Sequence, residues 1–156
     1  MSLQEELAAS WNPRVAEVLA EVTRTAPYPS LLGLVVAEQR AGFIRCRLPV
    51  VEKLQNGVGL VHGGALVSLI DHVLSVVVYP HVEPGKWVAT LDLKVSYIAP
   101  VRGGVLVADA EITSLRRTIG TARIEVRNEV DGEETLIATA MGTVFVKEKP
   151  KPEESR

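Results

Sequence analysis

The sequence predicts an α+β domain in which one antiparallel sheet wraps around a single long helix. Residues 65–79 are strongly apolar, and at about 100° per residue their few polar side chains fall on one narrow stripe. That stripe consists of Ser68, Asp71, His72, Ser75 and Tyr79. The segments on both sides alternate apolar and polar residues with the period of two that is typical of strands. A helix that is apolar around most of its circumference must be enclosed, and a sheet on one side of it provides that enclosure.

Helices are also predicted before the first strand. Ser2-Leu3-Gln4-Glu5 has the spacing of a capping box, and Asn12-Pro13 places an N-cap before a proline at the first helical position. Apolar residues then recur at helical spacing, and Pro27 and Pro29 are expected to end the second helix. Residues 1–26 are therefore expected to form an N-terminal helical extension.

Two strands are predicted before the long helix. They cover residues 32–39 and 42–50, with a turn at Arg40-Ala41. Cys46 shares the inward face of the second strand with apolar residues, which favours a small buried side chain over a reactive nucleophile.

Four further strands are predicted after the long helix, at residues 87–97, 106–112, 122–127 and 135–146. In the first of them the alternation places Thr90 on the face opposite Leu93. Asp131-Gly132 is a strong signal for a hairpin turn before the last strand. Residues 27–147 are expected to form the sheet domain, and residues 148–156 a disordered tail, because charges there alternate with prolines.

The composition limits the classes of function. Of 156 residues, 47% are hydrophobic and 23% are charged, and the net charge is −2. A general nucleic-acid binder needs a clustered basic surface, so no nucleic-acid partner is expected. We expect no apolar run near the roughly 20 residues that cross a bilayer, and no secretory signal. A single cysteine allows no internal disulfide, and these features together favour a cytoplasmic protein.

The stretch before the long helix is the strongest candidate for a functional site. Residues 56–64 contain four glycines together with Asn56 and His62. Gly63-Gly64 leaves the first helical N–H groups accessible at the positive end of the helix dipole. Such a place suits an anion or a polarised carbonyl oxygen. Asp71 is the only carboxylate of the helix that follows, and a purely structural hydrogen bond would also explain it.

These residues resemble a known family. Asn56, the run His62-Gly63-Gly64, Asp71 and Thr90, at these distances, are similar to the hot-dog-fold acyl-CoA thioesterases of the PaaI type. The likeness covers about residues 27–147. It implies a hot-dog fold and hydrolysis of a small or medium acyl- or aryl-CoA thioester, without a cofactor. Three histidines and one cysteine at these distances make no metal site.

The resemblance also implies a role for each residue. The Gly63 N–H would polarise the thioester carbonyl, and Asp71 would act as a general base or as a nucleophile. Asn56 and Thr90 would orient the reacting groups, and His62 would support the loop. Gly63 and Asp71 are separated by about 12 Å of helix rise. One bound thioester would not touch both residues in the same chain. The resemblance implies a homodimer whose sites are shared between subunits, and two such dimers would form a homotetramer.

Further residues are candidates for substrate binding. Gly64 and Ser75 adjoin the implied site, and the pair Arg116-Arg117 would bind the phosphates of CoA, although exposed basic turn residues often only interact with solvent. His72 is either a contact on the helix surface or a group that tunes the neighbouring carboxylate. His81, in a turn, is expected to be solvent-exposed.

Two other functions are compatible with the pattern. A hot-dog hydratase or dehydratase also pairs a histidine with an acid, but the extended loop that those enzymes place around their histidine is missing. A non-catalytic acyl-CoA-binding module would usually carry a DNA-binding segment, and the sequence offers no candidate for one.

Overall fold

Residues 1–149 are described by a computed structural model, in which six strands form one antiparallel sheet around a central helix. This arrangement confirms the predicted α+β architecture. The helices are α1 (Leu3–Ser10), α2 (Pro13–Thr25), α3 (Pro27–Leu32) and α4 (Gly63–Val76). The strands are β1 (Val35–Arg40), β2 (Phe43–Pro49), β3 (Lys86–Tyr97), β4 (Val105–Leu115), β5 (Ile119–Val130) and β6 (Glu133–Glu148). Short 3₁₀ turns cover Glu52–Leu54 and Tyr79–His81.

Helix α4 is the core around which the sheet is built. Its residues Leu69, Ile70, Val73 and Leu74 are fully buried, and each such side chain contributes about 1.5–3 kcal/mol on burial. Gly142 of β6 permits close packing, because a Cβ at this position would lie 2.4 Å from Cδ2 of Leu74. The helix therefore docks directly on the inner face of the sheet.

The apolar character of α4 is that of a core helix. Among residues 1–149, the segment Gly63–His81 is long and apolar enough, by length and composition alone, to cross a membrane. This finding differs from the expectation that no apolar run approaches the length that crosses a bilayer. The packing of α4 against the sheet accounts for its composition, because these side chains are enclosed by protein.

The N-terminal helices have the predicted caps, and a third short helix follows them. The capping box at Ser2 and the Asn12 cap are both present. Helix α2 ends at Thr25, before Pro27, as predicted. Pro27 then occupies the first position of α3, where the N–H that proline lacks would have no helical partner. The turn between β1 and β2 lies at Ala41-Gly42, one residue later than predicted, because Gly42 supplies a φ of 72°.

The helices before β1 are docked on the rest of the chain. Leu7 is almost fully buried, the Asn12 N–H donates to the Pro80 carbonyl at 2.9 Å, and Gln39 Nε2 donates to the Ala16 carbonyl at 2.8 Å. The boundary between an extension and a sheet domain stays a prediction. At the other end β6 continues to Glu148, and residues 150–156 of the predicted tail lie outside the described residues.

A β-bulge in β3 changes which side chains face the helix. Thr90 pairs with Val144 and Asp92 with Thr143, so Leu91 is an extra residue without a partner on β6. The alternation is shifted by one position at this point. Thr90, predicted on the face opposite Leu93, therefore lies on the same helix-facing side as Leu93.

His81 is half-buried rather than solvent-exposed, which corrects the prediction. The Gly42 N–H donates to its Nε2 at 3.0 Å. The neutral ring therefore carries its proton on Nδ1 and donates it to Ser10 Oγ at 2.8 Å. The ring of Trp11 lies 5.5 Å away, centre to centre. Burial lowers the pKa of His81 to about 4, so this ring joins α1, the β1–β2 turn and the segment after α4 in its neutral form.

This environment predicts a pH dependence of stability. Between the ordinary pKa of 6.5 and about 4, the unfolded chain binds a proton at His81 and the folded chain does not. The free energy of unfolding should therefore fall as the pH decreases through this range. In His81→Gln, whose amide oxygen can accept the same Gly42 N–H, the decline should be smaller by about 1–2 kcal/mol. Urea unfolding at neutral and mildly acidic pH measures this, and an equal decline in both proteins would contradict it.

Candidate active site

The loop before α4 is held in shape by Asn56. Its Oδ1 accepts the N–H groups of Val58 at 3.0 Å and Leu60 at 3.1 Å, and its backbone N–H donates to the Leu60 carbonyl at 2.7 Å. This local folding is typical of Asn in a tight turn. The side-chain Nδ2 donor has no acceptor among residues 1–149, so it remains available for another group.

His62 and the two glycines after it form the start of α4. The Gly64 N–H donates to Nδ1 of His62 at 2.9 Å, so the histidine side chain caps the helix. The backbone carbonyl of His62 accepts the N–H of Ala65 at 3.0 Å. Within the described part of the chain, the Gly63 N–H has no acceptor. A free N–H at the positive end of a 14-residue helix can bind a partial negative charge.

Gly63 lines a largely apolar groove between this loop and the end of β3. The groove has a volume of about 570 Å³. Tyr97 borders it, with its Oη donating to the Gly63 carbonyl at 3.3 Å. The groove is lined by Asn56, Leu60, Val61, Gly63, Leu66, Tyr97, Ile98, Ala99, Pro100, Val101 and Ile137. Two predicted residues, Asn56 and Gly63, are therefore brought together here.

Asp71 forms a second cluster two turns further along α4. Thr90 Oγ1 donates to Asp71 Oδ1 at 2.7 Å, and Ser75 Oγ lies 3.3 Å from Thr90 Oγ1. Since the single proton of Thr90 goes to Asp71, Ser75 must donate to Thr90. Oδ2 of Asp71 has no hydrogen bond to any of residues 1–149. The bulge at Leu91 makes this cluster possible, because without the bulge Thr90 would face away from α4.

Asp71 borders a depression of about 320 Å³ on the surface of α4. Its other lining residues are Tyr28, Val67, Ser68, His72 and Leu93. Asp71 itself is half-buried. A carboxylate with one oxygen fixed and the other free, beside an apolar wall, can accept a proton from water or attack an electrophile.

His72 is directed towards α2 and not into the Asp71 cluster. Its Nε2 lies 2.9 Å from Oγ1 of Thr23, a residue that is only 1% exposed. Burial lowers the pKa of His72, and the negative charge of Asp71 opposes this only in part. Cys46 is fully buried, and burial raises its pKa to about 12, so the thiol is protonated at neutral pH.

The remaining candidates border other surface depressions. His62 and Gly64 border another depression of about 350 Å³. Arg116 and Arg117 border a cleft of about 390 Å³ beside α1 and Lys86. Arg116 forms an ion pair with Glu6 at 3.7 Å. Lys86 begins β3 and Tyr97 ends it, so roughly 36 Å of strand separates this cleft from the groove at Gly63.

Within one chain the two clusters do not meet. Gly63 and Asp71 are on the same helix, but the groove at Gly63 and the depression at Asp71 have no lining residue in common. Two residues that border these grooves, Tyr28 and Tyr97, are missing from the predicted site. The chain has only three tyrosines, and their scarcity was the one sequence signal that could have drawn attention to them.

Comparison with known proteins shows the family of this chain. The chain matches the family model described as the thioesterase superfamily over residues 58–135. It is 38% identical over 125 residues to a protein of Halobacterium salinarum described as an esterase, with 75% of this chain and 82% of that protein covered. It is 27% identical over 120 residues to the 1,4-dihydroxy-2-naphthoyl-CoA hydrolase of Listeria monocytogenes, with 77% and 95% covered.

A solved structure supports the same conclusion. The crystal structure of a thioesterase from Haemophilus influenzae superposes with a TM-score of 0.79 at 27% identity, covering 89% of this chain and 94% of that one. The predicted hot-dog fold and the predicted enzyme class are thereby confirmed at the level of the family. This chain belongs to the thioesterase superfamily.

Proposed function

We propose that this protein hydrolyses acyl-CoA thioesters that carry a small or medium acyl or aryl group. The observation that carries the proposal is the Asp71 carboxylate, which is held by Thr90 at 2.7 Å and borders an apolar depression. Membership of the thioesterase superfamily supports the reaction class. The Listeria relative is named as a hydrolase of an aryl-CoA thioester, which supports the substrate class.

Asp71 would supply the acid–base chemistry of hydrolysis. As a general base, its free oxygen removes a proton from a water molecule whose oxygen attacks the thioester carbonyl carbon. The carbon–sulfur bond then breaks, and the CoA thiolate leaves and takes up a proton. As a nucleophile, the same oxygen would attack the carbonyl carbon and expel CoA, and water would then hydrolyse the mixed anhydride. In both routes Thr90 keeps the carboxylate oriented.

Gly63 and Asn56 would act on the other side of the carbonyl. The Gly63 N–H is unused in the described structure and lies at the positive end of α4. A donor fixed in this way stabilises the negative charge that develops on the thioester oxygen. Asn56 would orient the substrate or the attacking water with its free Nδ2, and His62 would keep the helix start rigid.

A homodimer would bring the two clusters together. Strand β3 is an edge of the sheet, so its outer backbone groups are free to pair with another strand. Antiparallel pairing of two β3 strands about a two-fold axis near Leu93 would place the partner's Tyr97 opposite Thr90. The Gly63 groove of one subunit would then adjoin Asp71 of the other. The homotetramer and the cytoplasmic location stay predictions from the sequence.

The proposed pairing of two β3 strands also suggests where the basic residues would lie relative to the site. It would direct the Lys86 end of β3 towards the partner's groove, and Arg116 and Arg117 border the same cleft as Lys86. We therefore retain these two arginines as candidates for binding the phosphates of CoA, with Gly64 and Ser75 as the remaining candidates for substrate contact.

Removing the carboxylate tests the chemistry. Asp71→Asn should lower kcat on acyl-CoA substrates by about 10²–10⁴-fold, because the amide cannot accept the proton of water. Release of CoA is measured with a thiol-reactive dye across a panel of acyl- and aryl-CoA thioesters. Asp131→Asn, which removes an exposed carboxylate at the β5–β6 turn and keeps a residue type that tolerates the positive φ of 51°, is the matched control and should retain activity. Wild-type protein that binds acyl-CoA without releasing thiol would favour the non-catalytic module instead.

Mixing inactive variants tests whether the site is shared. Asp71→Asn and Asn56→Ala, refolded together in equal amounts, should recover about a quarter of the wild-type activity, because half of the dimers would contain one intact site. Asp71→Asn refolded with Asp71→Ala is the control and should recover none. If the first mixture also stays inactive, while both variants form dimers, the proposed shared site is wrong.

A further inference from the structure

Tyr28 of α3 lies over the polar stripe of α4. Its Oη is 2.6 Å from Oγ of Ser68. The hydroxyl proton of Ser68 is donated to the Gly64 carbonyl at 2.8 Å, so Tyr28 must be the donor in the contact between the two side chains. The phenol ring is therefore held across the helix surface by a hydrogen bond, although the side chain is 58% exposed.

Tyr28 and Ser68 separate two depressions along α4. One is the depression of about 320 Å³ that is bordered by Asp71, Val67 and Leu93. The other, of about 350 Å³, is bordered by Leu32, Leu54 and Ala65. Tyr28 and Ser68 line both of them. The aromatic ring is the larger of the two shared side chains, so it forms the wall between the two spaces.

The backbone that carries this wall is well anchored. Leu32, at the end of α3, packs in the core with 9% of its surface exposed. Gly33 ends the helix with a φ of 84°, and its N–H donates to the Pro29 carbonyl at 3.0 Å. Pro27 fixes the backbone at the start of α3. The ring is therefore positioned by fixed neighbours on both sides.

We propose that Tyr28 sets the length of the acyl group that the enzyme accepts. This inference rests on the proposed function. An acyl group attached to a carbonyl at Asp71 has an apolar surface to contact at Val67 and Leu93, and its far end would meet the Tyr28 ring. A smaller residue at position 28 would join the depression at Asp71 to the second one, whose walls at Leu32 and Leu54 are also apolar.

A smaller and a larger residue at position 28 should shift the preferred acyl-chain length in opposite directions. In Tyr28→Ala, the ratio of kcat/KM for dodecanoyl-CoA to that for butanoyl-CoA should rise by about tenfold or more, because each extra methylene in an apolar pocket is worth about that factor. In Tyr28→Trp the same ratio should fall. Tyr28→Phe keeps the wall and loses only the hydrogen bond to Ser68, so its chain-length profile should stay close to that of the wild type.

Leu31→Ala is the matched control, because Leu31 is on the same helix and 60% exposed but borders neither depression. Its profile should be unchanged. Thermal melts of all four variants identify any loss of folding, and Tyr28→Trp keeps the test decisive if Tyr28→Ala does not fold.

The outcomes separate this inference from the proposed function. Wild-type protein without turnover on any acyl-CoA would overturn both. Turnover by the wild type, with a chain-length ratio that is unchanged in folded Tyr28→Ala and Tyr28→Trp, would overturn only the role of Tyr28. A uniform loss of kcat on all chain lengths would also overturn it, because Tyr28 would then support the site without selecting among substrates.

Discussion

Helix α4 has an almost wholly apolar surface that must be removed from water, and the arrangement of the whole chain follows from that constraint. The sheet covers one side of the helix, with Leu69, Ile70, Val73 and Leu74 fully buried against it. Only the polar stripe of α4 lies outside this apolar contact with the sheet. Its side chains are then satisfied by hydrogen bonds from two directions, from Thr90 on the sheet and from Thr23 and Tyr28 in the N-terminal helices. The free oxygen of Asp71 remains where these two coverings leave a gap.

The edge strand β3 has one side that pairs with no other strand among the described residues of the chain. Strand β3 is 12 residues long and lies at the edge, and Leu91 and Tyr97 are more than half exposed along it. An edge of this length with apolar side chains invites pairing with another copy. The strand that would form the dimer is also the strand that carries Thr90. In the proposed dimer, assembly and alignment of the carboxylate would therefore depend on the same twelve residues.

Much of this arrangement could be predicted from local sequence. The caps at Ser2 and Asn12, the long apolar helix and the alternation of the strands all depend on interactions between residues that are close in the chain. The structure confirms these features. They were predictable because they do not depend on contacts between distant parts of the chain. The polar stripe was predictable for the same reason, since helical spacing alone puts Ser68, Asp71 and Ser75 on one side.

The features that were not predictable arise from contacts between distant residues or from single insertions. A period of two cannot reveal that Leu91 is a bulge, and so the alternation assigned Thr90 to the wrong face. His81 stands in a turn after a proline, and nothing nearby indicates that Ser10 and Gly42 will enclose it. Tyr28 reaches Ser68 across 40 positions of sequence. The contacts of His81 and Tyr28 depend on how the N-terminal helices dock, which no local pattern encodes.

The docking of those helices also decides the charge beside the proposed catalytic group. A protonated imidazole next to Asp71 would offer the carboxylate an ion pair and compete with water for its free oxygen. Thr23 instead holds His72 on the side of α2, and burial lowers the pKa of that histidine. The ring is therefore neutral at neutral pH, and the hydroxyl of Thr90 is the hydrogen-bond donor that the described residues provide to the carboxylate. In this chain, the helices that precede the sheet therefore form part of the surroundings of Asp71. Helix α2 holds His72, the neighbour of Asp71, in its uncharged form. Helix α3 supplies Tyr28, which forms a wall of the depression that Asp71 borders.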